Sequence, residues 1–236
     1  MVKIRLCDFL IEVKMKYKYT FDFLTDYITK DEADPDFSVS VTDDELNAEL
    51  EKEPKFPLAY HETLCLYRKI CTLISMHEAF MMHSSVVVRD DKAFVFTAKS
   101  GTGKTTHSRL WLKNFPDSFI INGDKPLFRL KEDGFYVYGT PWSGKEGYNK
   151  NTSAKVKAIC FLEQSKENSI RPMNAREVLS KIFEQLYIPE NKEGAEKVLS
   201  LMDKFLSEIP TYLLSCNMED EAAILAEKIM NKREGF

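Results

Sequence analysis

This sequence lacks most of the features that place a chain at a glance. No run of about eighteen apolar residues occurs, so nothing reads as a membrane-spanning helix. The first stretch, MVKIRLCDFLIEVKMKYKYTF, breaks every apolar run with charge and has neither the apolar core nor the cleavage site of a signal peptide. An excess of one charge is also missing: 33 Lys and Arg stand against 37 Asp and Glu, for a net charge of -4. Without a basic excess or a basic stripe, a nucleic-acid partner is not expected. Cysteine is scarce and unpaired. The five residues Cys7, Cys65, Cys71, Cys160 and Cys216 are odd in number and form no CxxC pair. That pattern points to reduced thiols in a cytoplasmic protein and gives no ligand cluster for zinc. Internal repeats and low-complexity tracts are absent.

What remains is a chain of 236 residues with 16 Phe and 10 Tyr, enough bulk for one large core with a small appendage. Residues 1–57 read as a small β-rich region packed on a core domain spanning 58–236. Over about residues 2–30 apolar and polar positions alternate, which predicts short strands, and FSVSV (37–41) alternates like an edge strand. Thr42 with Glu45 makes a capping box that opens a short helix. Leu64, Tyr67, Ile70, Cys71 and Ile74 recur at helical spacing and predict a helix over 59–77. FMMHSSVVV (80–88) and AFVFT (93–97) read as two strands of a hairpin joined by RDDK, with a register that sets His83 across from Ala98. SFIIN (118–122) is the next strand, and LFRL with FYVYG forms a second hairpin. KVKAICFLE (155–163) is a buried strand, followed by a helix over 174–188, another over 193–209, a strand at 211–216 and a terminal helix over 219–233.

One stretch carries chemistry. Ala98-Lys99-Ser100-Gly101-Thr102-Gly103-Lys104-Thr105-Thr106 follows a predicted strand and opens a predicted helix, which is the context a phosphate-binding loop requires. Gly101 and Gly103 let backbone N–H groups turn toward phosphate oxygens. The helix start adds unpaired donors, Lys104 reaches the β and γ phosphates, and the Thr105 hydroxyl is placed to ligate Mg²⁺. Seven of the nine glycines lie between Gly101 and Gly147, on what would be one ligand-facing side. Asp124 ends the strand SFIIN, where a carboxylate can hold Mg²⁺ or accept a proton; an Asx-turn before Pro126 is the plainer account. His83 reads either as a core histidine or, by the hairpin register, as a neighbour of the phosphate loop. In the loop 139–151, Lys145 is a candidate anion-binding residue and Trp142 a candidate wall for an acceptor pocket.

The strand order implied by the hairpins is a mixed, largely antiparallel α/β sheet around the P-loop strand, unlike the doubly wound parallel sheet of most phosphate-loop proteins. His83-Ser84-Ser85-Val86, the hairpin, SGTGKTT and the later GDKP resemble the catalytic domain of HPr kinase/phosphorylase, whose core is related to that of PEP carboxykinase. The chain looks most like short, clostridial-type bacterial homologues in that family. The resemblance covers about residues 80–165. It implies ATP, or another nucleoside triphosphate, with Mg²⁺ held by Thr105 and Asp124, and phosphoryl transfer to a hydroxyl, with His83 or Asp124 orienting the acceptor. Related short kinases are believed to act on free serine or on the terminal serine of lasso-peptide precursors, so the expected acceptor is serine in a peptide, a protein or the free amino acid. The segments that engage HPr itself are not found. The family's paired aspartates are Gly123-Asp124 here, so one carboxylate is missing. That departure motivates two other readings: a nucleotide-binding regulatory module without turnover, and a phosphorylase or PEP carboxykinase-like transfer. Monomer and homo-oligomer both stay open.

Overall fold

The computed structural model describes residues 1–232; residues 233–236, counted by sequence in the core domain and, for residue 233, in its last helix, lie outside the described residues. The chain opens with a hairpin of β1 (Val2–Leu6) and β2 (Phe9–Lys14), closed by Cys7 and Asp8, both at positive φ. Two left-handed residues in a two-residue loop match the twist of the flanking strands. The alternation predicted to continue as strand through residue 30 instead becomes helix α1 (Lys18–Leu24) before the short β3 (Ile28–Thr29). The aromatics at 17, 19, 21 and 23 mimic a period of two, but Tyr19 and Phe21 lie exposed while Thr20 and Leu24 are buried one helical turn apart. The start of α1 is capped from outside: Glu62, fully buried, accepts the N–H groups of Lys16 (2.6 Å) and Tyr17 (3.3 Å) and the Thr20 hydroxyl.

β4 (Phe37–Ser40) pairs parallel to β2 and completes a four-stranded sheet in the order β3-β1-β2-β4, at its edge as expected. Helix α2 (Asp43–Lys52) begins with the capping box: Thr42 Oγ1 accepts from Glu45 N–H at 3.2 Å and Glu45 Oε2 accepts from Thr42 N–H at 2.8 Å. Helix α3 (Leu58–Ile74) follows. Ile4, Ile11 and Val39 from the first sheet bury themselves in one cluster with Leu66 and Ile70 of α3 and with Leu127 and Trp142 from later in the chain.

The second sheet contains β5 (Ala79–Met81), β6 (Ser85–Arg89), β7 (Lys92–Thr97), β8 (Phe119–Asn122), β9 (Leu127–Lys131), β10 (Gly134–Tyr138), β11 (Ser153–Gln164), β12 (Ser169–Pro172) and β13 (Thr211–Cys216). Its order is β5-β9-β10-β11-β7-β6-β8, with β13 against the second half of β11 and β12 outside it. β11 runs parallel to β7 and to β13; the other pairings are antiparallel. The sheet is therefore mixed and largely antiparallel, not doubly wound.

Residues 80–88, predicted as one strand, are two. β5 pairs with β9 and β6 with β7, and the chain breaks pairing over residues 82–84. The break is occupied by the return of the chain after α5 (Ala175–Ile182), which is shorter than the predicted 174–188. Residues 185–187 leave the helix to meet it: Tyr187 N–H donates to Met81 O (3.1 Å), and His83 N–H donates to Gln185 O (2.7 Å). Helix α4 (Lys104–Asn114) and helix α7 (Asp220–Met230) cover one face of the sheet, where Phe94, Phe96, Trp111, Leu214 and Ala223 are buried together. α5 and α6 (Lys192–Glu208) cover the other, over Val95, Phe128, Ile182 and Phe205. Among the described residues no helix is long and apolar enough to cross a membrane.

Candidate functional site

The glycine-rich turn leaves the end of β7 and becomes α4. Gly101 has φ +80° and Gly103 φ +114°, and a Cβ at either would meet nothing within 4 Å. Glycine is thus required there by backbone conformation, and the space in front of it is open. Gly103 caps α4 without a side chain, so the first N–H groups of the helix are left facing that space. Lys104 folds back across the turn, its Nζ donating to Ala98 O at 2.8 Å. Burial pushes the Lys104 ammonium below its ordinary pKa, and the negative charge of Asp124 opposes the shift. The hydroxyls of Ser100, Thr105 and Thr106 have no hydrogen-bond partner among the described residues.

Asp124 sits on the turn after β8. Asn122, wholly buried, builds that turn: its Oδ1 accepts the N–H groups of Asp124 (2.9 Å) and Lys125 (2.8 Å), and its Nδ2 donates to Thr140 O (2.9 Å) and Thr140 Oγ1 (3.0 Å). This is an Asx-turn, but Asn122 makes it and not Asp124, so the Asp124 carboxylate takes no part in it. That carboxylate is held at both oxygens. His83 Nδ1 lies 3.2 Å from Oδ1 and Lys125 Nζ 3.2 Å from Oδ2. Burial alone would raise the pKa of Asp124; the hydrogen bond from His83 and the Lys125 charge outweigh it and hold the group below the ordinary carboxylate value.

The β6–β7 hairpin runs from Arg89 against Lys92 to Ser85 against Phe96, so its register sets residue 83 across from residue 98 as predicted. Thr97 Oγ1 donates to His83 O at 2.8 Å and Ser84 N–H to Asp124 O at 3.0 Å. The His83 side chain is 37% exposed, which does not fit a core histidine.

The loop 139–151 lies over this turn. Gly123 N–H donates to Tyr148 O (2.9 Å), and Lys125 N–H reaches Trp142 O (3.2 Å). Gly144 passes so close that a Cβ there would stand 3.2 Å from Asp124 Cβ. Arg109 of α4 pairs with Glu146 of the loop. Lys145 is exposed at its tip, with no partner among the described residues. Trp142 is elsewhere than expected. It is buried, stacks on Tyr67 with centroids 4.2 Å apart, and donates its indole N–H to Thr63 O at 3.0 Å, so it anchors the loop to α3.

The structure thus brings His83, Lys104 and Asp124 together and leaves Trp142 in the core. Sequence reading missed Asn122, Lys125 and Gln185. Lys125 lies inside the GDKP motif and Asn122 directly before it, so motif position was the available signal; the carbonyl of Gln185 carries none.

Two depressions flank the glycine-rich turn and share Gly101, Thr102, Leu162 and Gln164. The larger, about 550 Å³, is lined also by Lys99, Lys181, Glu184 and Gln185. The smaller, about 390 Å³, is lined also by Thr106, His107 and the segment Cys216–Met218. The residues of the turn fit a phosphate chain: an open glycine cradle, hydroxyls without a partner among the described residues, and Lys104 folded across it.

No family model matches this chain, and no curated protein matches it. Among solved structures it is similar to the Hpr(Ser) kinase/phosphatase from Coxiella burnetii, at 10% identity and a TM-score of 0.39, over 64% of this chain and 88% of that one.

Proposed function

We propose that the protein is a phosphotransferase that binds ATP, or another nucleoside triphosphate, with Mg²⁺ over residues 100–106 and passes the γ-phosphoryl group to a hydroxyl acceptor, serine in a peptide, a protein or the free amino acid. One observation carries this: an open glycine turn with Lys104 folded across it leaves the end of β7, and the β6–β7 register sets beside it His83, whose Nδ1 lies 3.2 Å from Asp124 Oδ1. The turn 98–105 acts as a phosphate loop. Its N–H groups and Lys104 bind the phosphates and spread the charge that develops on transfer. Thr105 and Asp124 would hold Mg²⁺, which supplies further neutralisation at the β and γ phosphates. Asp124 or His83 accepts the proton of the acceptor hydroxyl as its oxygen bonds to the γ-phosphorus; the bond to the β-phosphate oxygen breaks and ADP leaves. Lys125 keeps Asp124 ionised for that step. Five free thiols accord with a cytoplasmic setting.

The measurement is ADP formation from MgATP with serine and serine-containing peptides, in wild type and in Lys104→Ala. Acceptor-dependent ADP in wild type, lost in a folded Lys104→Ala, is the expected result. A folded Lys104→Ala with unchanged ATP affinity by calorimetry removes the phosphate-loop assignment. A second reading, a nucleotide-binding module without turnover, is favoured by Gly123: a Cβ there would lie 2.9 Å from Ser143 O, so only one carboxylate fits at this turn. ATP binding with no ADP from any acceptor would select it.

A further inference from the structure

Helix α5 stands between two recesses of the surface. On one side Ser180, Lys181 and Glu184 line the larger cleft beside the glycine-rich turn. On the other, Ala175, Val178 and Leu179 line a groove of about 480 Å³ whose far wall is Leu206 and Ile209, at the end of α6. The end of α5 also borders the turn and the histidine. Glu184 pairs with Lys99 at 3.2 Å, and the Gln185 carbonyl accepts the His83 N–H. One short helix thus bounds both the place proposed for transfer and the groove behind it.

The groove is apolar from floor to rim. Val178 is buried in the core cluster below, and Leu206 and Ile209 pack against that cluster. At the rim, large apolar side chains reach solvent. Leu179 and Phe183, four residues apart on one side of α5, are each 47% exposed. Leu199 is seven residues before Leu206, hence on the same face of α6, and is 40% exposed. Exposed apolar residues scattered singly need no explanation, but a set gathered along one seam marks an interaction surface. Two carboxylates also line the groove. Glu208 has Lys204 at 3.9 Å, whereas the exposed Asp203 has no ion-pair partner among the described residues.

We propose that the α5–α6 groove docks the acceptor as a polypeptide, with an apolar side chain against Leu179 and Phe183 and a basic residue on Asp203, while its serine lies in the cleft beside the glycine-rich turn. The inference rests on the phosphotransferase reading and adds to it that the acceptor is a peptide or protein and not free serine. Two observations select this occupant. The first is continuity: from Leu179 to Gln185 the chain advances six residues, about 9 Å by helical rise. An extended peptide covers ~3.3 Å per residue, so its apolar residue stands about three or four positions from the serine. The second is charge, since the unpaired Asp203 calls for a cation that free serine cannot bring there.

ADP release by the full chain with MgATP tests this on three kinds of acceptor. They are free serine, a glycine-rich peptide with one serine, and that peptide with Leu about four positions before or after the serine and Arg beyond it. The better Leu and Arg peptide should exceed the plain one about tenfold in kcat/KM, through KM, as burial of one Leu side chain allows. Leu179→Ser combined with Phe183→Ser should bring that ratio close to one, and Asp203→Lys should remove the preference for Arg. Equal kcat/KM for all the peptides, or an unchanged ratio in the folded double variant, overturns the docking groove and leaves the transfer reading standing. So does a double variant that turns a dimer into a monomer in sedimentation with the ratio unchanged, which gives the groove to a second copy of this chain. Should the double variant fail to fold, Asp203→Lys decides alone: loss of the Arg preference supports the groove and its retention overturns it. Wild type that forms no ADP with any acceptor overturns the transfer reading itself, and the docking role with it.

Discussion

His83 Nδ1 and Asp124 Oδ1 stand 3.2 Å apart, although one residue belongs to the break between two strands and the other to the turn after β8. Both are fixed through the backbone and not through packing. His83 is held at its N–H by Gln185 O and at its carbonyl by Thr97; Asp124 is held at its N–H by Asn122 and at its carbonyl by Ser84 N–H. The Cα positions are therefore fixed and the two side chains meet; in the proposed reaction this pre-orients them for proton transfer.

Asp124→Asn removes the charge and keeps the shape. In the proposed reaction it should leave ATP affinity within a few-fold and lower the rate of transfer by about 10²–10⁴. Steady-state ADP release with calorimetry separates the two. A mutant within a few-fold of wild type in rate would make Asp124 a turn residue only.

His83→Ala should lower transfer while barely changing the melting temperature. A ring 37% exposed leaves no sealed cavity, so the loss of stability should fall below the ~2 kcal/mol usual for emptying a packed site. His83→Gln, which keeps a donor, should restore part of the phosphate affinity and none of the proton transfer. If His83→Ala unfolds and its residual folded fraction keeps full activity, the histidine belongs to the core.

What could be read in advance was local. The two-residue turn at Asp90 and Asp91, both at positive φ, fixes a hairpin register, and register then puts His83 across from the start of the glycine-rich turn. The glycine pattern, the capping box at Thr42 and the helix opened by Lys104 are likewise written within a few residues. What stayed hidden depends on distant partners. The break at 82–84 exists because residues 185–187 pair there; α1 is a helix because Glu62 caps it from another element; and Trp142 is buried because Tyr67 and Thr63 receive it. The same holds for Asn122, whose four hydrogen bonds run to its own turn and to Thr140 across the loop.

Trp142→Ala should destabilise the protein by about 3–5 kcal/mol, as for other large aromatics removed from a core. Its loss unstacks Tyr67 and leaves Thr63 O without its indole donor. Chemical denaturation measures this. A substitution within 1 kcal/mol, roughly the scatter of surface changes, would return Trp142 to the role of a pocket wall.

Burial of a neutral His107 should cost stability as the pH falls. In the unfolded chain this imidazole takes a proton below its ordinary value of 6.5, in the folded protein only below about 4. The unfolded state therefore binds more protons across that window, and stability falls as pH drops through it, by about 3 kcal/mol. Denaturation midpoints between pH 7 and pH 4 should slope in wild type and lie flatter in His107→Gln. Parallel slopes would mean that the ring titrates normally.

Gly123 decides whether a second carboxylate can stand beside Asp124. A Cβ at this position would lie 2.9 Å from Ser143 O and 3.5 Å from Tyr148 Cβ. The first contact is with backbone, and Gly123 N–H is itself tied to Tyr148 O on the same loop. A side chain therefore forces the loop 139–151 away from Asp124. Gly123→Ala should lose about 1–3 kcal/mol of stability by overpacking. Gly123→Asp should lose at least as much, and activity should fall with it, because the second carboxylate displaces the loop that passes over the first. Melting curves and ADP release on both variants decide the point. A Gly123→Asp protein as stable as wild type and faster in transfer would show that the loop yields, and that a single carboxylate limits the proposed reaction.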